Sequence, residues 1–490
     1  MSRGLSRNVA ANMVNAGATI LSSVLTVPIV LHFVGLDGFG VWTLAQTALV
    51  YVATAETGFG PAVQRYVSVA RGAGTLHEAT RVVWSAAVFY VLLGAVIAVA
   101  TVLAAPTIVD LFDVPGELRA DAIAMFELVG PVMLLTLLVS GLANVQQGME
   151  RFISGTVATA VSVLVFLSVG AALLAAGRGL RGLAEAALAQ FAVAFVMRSW
   201  MVRDVLTAGR PALVTRAQAR ELISFSARMQ VNVISTLVNS QTDKLVVGLI
   251  SNTATMGAVG IASQLAEAMR FLVGASLGPF VSRFSTLHGQ RAEEQLARLY
   301  HRIAGVWLRM CAGLTLIALV IMVPLVDAWL GDEAGDTALY ALPLTAAYGV
   351  NLMAGVAFAY LRAVGKPGAE AGLGGIVIIL NVVLTVTLGV LFGPFGVVFA
   401  TLAAYVAGTI WFFARIPGLI PPDPGTERPS SAKVAAAGVA SAVLAGGWAL
   451  LMAALLPTGY ALVPLLAGAG LAFAGFVAVA AGGVRGLVPR

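Results

Sequence analysis

Seven ionisable residues interrupt stretches that are otherwise apolar: Glu56, Glu127, Glu185, Asp243, Lys244, Glu267 and Arg270. A charge at the centre of a lipid bilayer costs on the order of 3 kcal/mol or more, so such residues turn towards protein or water and mark places where something happens. Glu267 and Arg270 are three apart and therefore neighbours on one helical face. Two readings fit them: a self-neutralising pair that holds helices together, or an arginine offered to an anion. Arginine suits phosphate because its planar fork engages two oxygens at once. Lys244 adds a second positive group, and points about 100° away from its neighbour Asp243 on a helix. Glu56 stands nine residues before Arg65 and reads as an arginine partner or a proton site. Glu127 and Glu185 fall near the ends of their apolar segments, where long side chains reach the interface.

A second set is uncharged. Asn15, Thr19, Ser22 and Thr26 step by four, three and four along one apolar segment, and Asn232, Thr236, Asn239 and Asp243 repeat that spacing further on. Such steps place each set on one helix face. Gln46 and Gln264 follow, each one segment later. Any single one of these residues serves as hydrogen-bonding glue between helices, whereas two stripes in matching register point to a shared hydrophilic cavity. The phrase GPAVQRYVS at 60–68 returns as GPFVSRFST at 278–286, with Arg65 and Arg283 in equivalent places. Each copy is expected at the cytoplasmic end of the second helix of a half, where its arginine braces an inner gate or fixes topology. Cys311 is the single cysteine, which excludes an internal disulfide. No metal-ligand cluster, cofactor motif or nucleophile–base constellation is visible.

The elements that carry these residues follow from composition. The chain has 490 residues, 59% hydrophobic and 11% charged, against about 25% charged for a soluble domain. Fourteen segments are long and apolar enough to span, at about 9–33, 39–57, 82–105, 122–146, 153–176, 182–202, 230–250, 256–281, 303–330, 338–361, 369–392, 395–414, 434–456 and 459–482. The expected fold is therefore an all-α polytopic membrane protein. With the N-terminus inside and the segments alternating, 24 of the 29 basic residues fall in inside breaks and three, Arg119, Arg178 and Arg181, fall outside. That is the distribution of a protein with both termini cytoplasmic. It assigns the net charge of +6 to topology and to anionic lipid headgroups rather than to nucleic acid.

The repeats divide the chain. Residues 1–206 and 229–418 read as two parallel six-helix lobes, related by a pseudo-twofold axis along the membrane normal. A basic cytoplasmic linker, 207–228, joins them. A Pro-rich cytoplasmic linker, 419–433, leads to two further helices and a cytoplasmic tail in 434–490.

In this frame the chain resembles a Wzx-type polysaccharide flippase of the multidrug/oligosaccharidyl-lipid/polysaccharide exporter superfamily, which has a MATE-like fold. The resemblance is carried by VGLDGFGVWTLAQT and ETGFGPAVQRYVSVARG in the first lobe, and by TDKLVVGLISNTATMGAVGIASQ, GPFVSRFS and RAVGKPG in the second. It implies a transporter, not an enzyme, that moves undecaprenyl-diphosphate-linked oligosaccharide across the bacterial cytoplasmic membrane for cell-surface polysaccharide synthesis. The lobes rock between inward-open and outward-open states. The positions implied for the diphosphate are Arg270 and Lys244; the matching polar stripes and glutamines put Asn15, Asn232, Asn239, Gln46 and Gln264 in the lining of the same cavity. Arg65 and Arg283 are implied at the cytoplasmic mouth, while Asp243, Glu267 and Glu56 read, from their place within apolar segments, as coupling or charge partners. The implied partners are the lipid-linked oligosaccharide, membrane lipids and other polysaccharide-assembly proteins, with the chain working as a monomer. The coupling ion, proton or sodium, stays open. The rival readings are a cation-coupled multidrug exporter of the same superfamily, a membrane polysaccharide polymerase or ligase, and a membrane scaffold without transport.

Overall fold

The computed structural model describes the backbone of residues 3–56, 60–215, 220, 241–274, 277–366, 368–420, 444–445 and 471. Side chains are described from residue 25 onward, apart from residues 53–56 and a few others. Among the described residues every regular element is helical: α1 (Arg3–Glu56), α2 (Gly60–Ala73), α3 (Leu76–Leu111), α4 (Gly116–Gly148), α5 (Phe152–Ala175), α6 (Gly179–Met201) and α7 (Arg203–Thr207). There follow α8 (241–250), α9 (Thr253–Gly274), α10 (Gly278–Gly289), α11 (Glu293–Leu330), α12 (Thr337–Met353), α13 (Gly355–Ala363) and α14 (Gly368–Arg415). Eight stretches, at Leu25–Val52, Leu76–Leu111, Gly116–Gly148, Phe152–Ala175, Gly179–Met201, Glu293–Leu330, Thr337–Ala363 and Gly372–Arg415, are long and apolar enough to cross a membrane. The chain is a multi-pass membrane protein.

Two of those stretches contain a glycine with positive φ. The helix of α1 is interrupted at Gly35 (φ 67°) and that of α14 at Gly393 (φ 64°). A positive φ is open to glycine and costly for any residue with a Cβ. Each glycine thus ends one helix and starts the next with no intervening loop, between the spans expected at 9–33 and 39–57 and between those at 369–392 and 395–414.

The repeated phrase lies in helical backbone both times, in α2 from Gly60 and in α10 from Gly278, and the helix continues past it to Ala73 and to Gly289 instead of ending at it. Residues 57–59 and 275–276, just before the two copies, lie outside the described residues.

The chain divides into two compact units, Met1–Gly257 and Ala258–Arg490. In the first, α4 lies in the middle and packs on α1, α2, α3 and α6. Its buried Phe126, Val129, Met133 and Leu137 recur at helical spacing. A Cβ on Gly130 would lie 2.8 Å from the carbonyl oxygen of Ala98 on α3, so a small residue permits that approach. The opposite face of α3 shows Leu92, Val96, Val99 and Leu103 to the surroundings. That stripe is apolar outside as well as inside, as expected of a helix solvated by lipid.

The ends of this unit differ in charge: one carries Arg65, Arg71, Arg81, Arg151, Arg203 and Arg210 against Glu78, Glu150 and Asp204, and the other Arg119, Arg178 and Arg181 against Asp110, Asp113, Glu117, Asp121 and Glu185. One end gathers the α2–α3 turn, the α4–α5 turn and α7: Arg71 pairs with Glu150 at 3.0 Å, Arg151 with Asp204, and Thr80 Oγ1 donates to the Val205 carbonyl at 2.7 Å. The other end holds Asp110 with Arg119 at 2.8 Å, and Glu185 between Arg178 and Arg181. In the second unit α12 packs on α11 and α14, and α10 packs on α11 and α13. The 38 residues of α11 extend about 57 Å, almost twice the roughly 30 Å of hydrocarbon. Its first half, with Arg298, Arg302 and Arg309, therefore projects towards or beyond the interface.

Candidate functional site

In the second unit α9 presents Arg270 to two tyrosines. The guanidinium carbon lies 4.7 Å from the centroid of the Tyr348 ring on α12. It also donates to the Tyr405 hydroxyl on α14. The two rings stand edge to face, 5.6 Å apart at 73°. Tyr348 and Tyr405 are nearly fully buried. A stacked cation within about 6 Å of a ring gains up to about 2 kcal/mol when water is excluded. A guanidinium carries five donors in a fixed fork, and a ring face plus one hydroxyl engage only part of it. The cage thus positions a cation without neutralising it.

Glu267, one turn earlier on α9, contributes an attractive field at Arg270. Its Oε1 is buried and accepts no hydrogen bond. The carboxylate is therefore incompletely satisfied inside the protein, a costly state unless a proton, a cation or a ligand completes it.

The first unit holds the second cluster, on α8. Gln241, Asp243 and Lys244 are all buried, and Lys244 Nζ donates to Gln241 Oε1 at 3.4 Å. Tyr51 on α1 hydrogen-bonds Thr242. Lys244 and Arg270 lie in different units. Gln46 is exposed and Gln264 half-buried. Arg65 and Arg283 are both exposed, each on the second turn of its short helix, and Arg65 leans over the ring of Tyr66 at 5.7 Å. The side chains of Asn15 and Glu56, and residues Asn232 and Asn239 entirely, lie outside the described residues.

Two arrangements escaped the sequence reading. Arg198 reads from sequence as a residue of a cytoplasmic break. It is instead 8% exposed within α6. It donates from Nη1 to Gln146 Oε1, and from Nη2 to Thr159 Oγ1 at 2.9 Å, while its Nε has no partner. The other is a close crossing of the helix after Gly35 with the first turn of α9. A Cβ on Gly40 would fall 1.7 Å from the carbonyl oxygen of Thr253, and one on Gly257 would fall 2.8 Å from that of Leu36. Thr253 Oγ1 donates to Asp37 Oδ1 at 2.5 Å beside this contact. The signal available was Thr253 and Gly257 four apart, the small-residue spacing of closely packed membrane helices.

Residues 5–288 match the family described as polysaccharide biosynthesis protein. No curated relative matches the chain in sequence. Among solved structures, it is similar to the lipid II flippase MurJ in an inward closed conformation, with TM-score 0.71 and 12% identity over 98% of this chain and 99% of that one. It is similar to a multidrug resistance MATE family transporter of the MOP superfamily in an inward-facing conformation, with TM-score 0.68 and 14% identity over 83% and 95%. A MOP superfamily transporter from Pyrococcus furiosus gives TM-score 0.54 and 14% identity over 85% and 96%. At such identities the likeness is one of fold.

Proposed function

Because the chain belongs to the polysaccharide biosynthesis protein family, we propose that it is a flippase that carries undecaprenyl-diphosphate-linked oligosaccharide from the cytoplasmic to the outer leaflet of a bacterial inner membrane. On this reading fourteen helices span, both termini are cytoplasmic, and access to the carrier alternates between the two sides. The observation that carries it is Arg270, stacked on Tyr348 and donating to Tyr405, two neutral partners that leave its charge in place inside an apolar bundle. A diphosphate is the part of such a substrate that a guanidinium fork recognises. The fold shared with a lipid II flippase supports a lipid-linked cargo. Lys244, buried beside Gln241, is the second positive group on this reading. An anionic head moving outward also gains about 2.3 kcal/mol per charge per 100 mV of interior-negative potential.

A strain lacking this gene and any redundant flippase is expected to accumulate lipid-linked oligosaccharide on the cytoplasmic leaflet. A normal distribution between leaflets overturns the proposal. The unsatisfied Oε1 of Glu267 favours one second reading, a cation-coupled exporter of small molecules. It predicts drug efflux that Glu267→Gln abolishes, with an unchanged lipid distribution.

A further inference from the structure

The basic end of the first unit contains a cleft that the transport site does not use. It lies between the α4–α5 turn and the junction of α6 with α7, has a volume of about 600 Å³, and is lined by Arg151, Phe152, Ile153, Trp200, Arg203 and Asp204 among others. That volume falls within the roughly 300–1,000 Å³ of small-ligand sites.

The charges in the cleft are unequally matched. Arg151 is occupied: it donates from Nη1 to Asp204 Oδ1 at 2.7 Å and to the Met201 carbonyl at 2.6 Å, and from Nη2 to Asp204 Oδ2 at 2.5 Å. Glu150, on the rim, is paired with Arg71. Arg203 has no carboxylate partner among the described residues. Its guanidinium lies 4.6 Å over the Trp200 ring, and Nη1 makes a long contact of 3.4 Å to the Trp200 carbonyl. Trp200 itself is 64% exposed.

An exposed tryptophan at the end of an apolar span belongs at headgroup depth, where its ring and N–H meet both media. Phe152 and Ile153 continue the apolar surface of α5 into the rim of the cleft. The cleft therefore offers one uncompensated guanidinium, an interfacial indole and an apolar edge leading into the bilayer. We propose that this cleft binds the phosphodiester headgroup of an anionic phospholipid, with Arg203 on the phosphate, Trp200 beside the glycerol and the first acyl carbons along Ile153. A headgroup carrying an ammonium would bring a positive charge up to Arg203, so a zwitterionic lipid binds less well. Basic pockets between spanning helices recognise lipid heads by this means.

The test uses the full chain in detergent, with native mass spectrometry reading the lipid adducts. Phosphatidylglycerol is expected to be retained about fivefold more strongly than phosphatidylcholine. Arg203→Gln is expected to lower phosphatidylglycerol retention about fivefold, while Arg203→Lys, which keeps the charge, retains at least half of it. Arg119→Gln, which removes an exposed pair at the opposite end of the unit, is expected to change nothing. Both Trp200 and Arg203 are exposed, so substitution leaves the core intact. Equal retention of the two lipids by the wild type, or undiminished phosphatidylglycerol binding by Arg203→Gln, overturns the proposal. Displacement of the lipid by an equal concentration of inorganic phosphate also overturns it, by showing that the cleft takes free phosphate.

Discussion

Gly40→Ala tests the glycine whose added Cβ would meet the closest obstruction among the described residues. The new Cβ would lie 1.7 Å from the carbonyl oxygen of Thr253 and 2.5 Å from its carbonyl carbon. Carbon and oxygen ordinarily come no closer than about 3.3 Å, so the two backbones must part by about 1.6 Å, the difference between the two distances. Both obstructing atoms are backbone, and no side-chain rotation relieves the clash. The same displacement stretches the 2.5 Å bond from Thr253 to Asp37 to about 4 Å, beyond hydrogen-bonding range. Overpacking costs about 1–3 kcal/mol and a bond to a charged group contributes about 1.5–3 kcal/mol. Together these come to about 2.5–6 kcal/mol, and even about 2 kcal/mol moves the balance between packed and parted helices roughly thirtyfold. The assay is maleimide labelling of Leu44→Cys, a 4%-exposed position one turn beyond Gly40, with the buried native Cys311 replaced by serine. Gly40→Ala should raise the labelling rate at least tenfold. Gly257→Ala, whose Cβ needs only about 0.5 Å more room to clear Leu36, should raise it less. Gly72→Ala, with nothing within 4 Å, should leave it unchanged. Labelling of Gly40→Ala within twofold of the parent, or a larger effect from Gly257→Ala, would refute the reasoning.

Arg270→Ala should abolish complementation of a flippase-deficient strain while the protein still reaches the membrane; full complementation returns Arg270 to a bracing role. Tyr405→Phe removes a single acceptor from that guanidinium, so a partial loss of transport with normal membrane abundance is expected in the same assay, and a complete loss would mean the hydroxyl touches the cargo. Gln146→Leu deprives the buried Arg198 of an acceptor and should destabilise the protein by about 1–3 kcal/mol in denaturant unfolding; an unchanged midpoint counts against the network. The Arg151 guanidinium holds the Asp204 carboxyl below its ordinary range, chiefly through their hydrogen bonds. A carboxyl lowered on folding stabilises above its unfolded value of about 4 and loses that contribution as pH falls through the depressed folded value. The pair is half-exposed, so its loss should account for less than about 1 kcal/mol, and Asp204→Asn should flatten the acid limb of a pH–stability curve by no more than that.

The spans within the described residues were legible because burial in lipid imposes one requirement, about 20 apolar residues, that a single sequence displays; the spans expected at 434–456 and 459–482, and most of that at 230–250, lie outside the described residues. The resemblance drawn from glycine-centred phrases is borne out by the family match over residues 5–288. Local punctuation was harder. Gly-Pro reads equally well as the end of one helix or the start of the next, and only the structure shows helix running on past both copies, to Ala73 and Gly289. Arg198 was misplaced because charge counting assigns every arginine near a span end to a loop. A partner such as Gln146, which lets the guanidinium turn inward, sits two helices away. Tyr348 and Tyr405 were invisible for the same reason: what selects them is proximity across α9, α12 and α14, not any spacing along the chain. Glu267 and Arg270 were found together because three residues on a helix is a local distance, but the preference of Arg270 for ring faces over its neighbouring carboxylate is tertiary.

The joints at Gly35 and Gly393 have a mechanical consequence. Each connects two helical rods through one residue with two rotatable bonds and no spare chain. A flexible loop would act as a slack rope, absorbing the travel of one rod before the other felt it. A one-residue joint has no slack, so a tilt of either rod is delivered to its mate as torque. The rod after Gly35 is also the one that bears on Thr253 only five residues from the joint. A rearrangement there acts on a short lever arm, and a small shift at the crossing becomes a large swing at the far end of the rod.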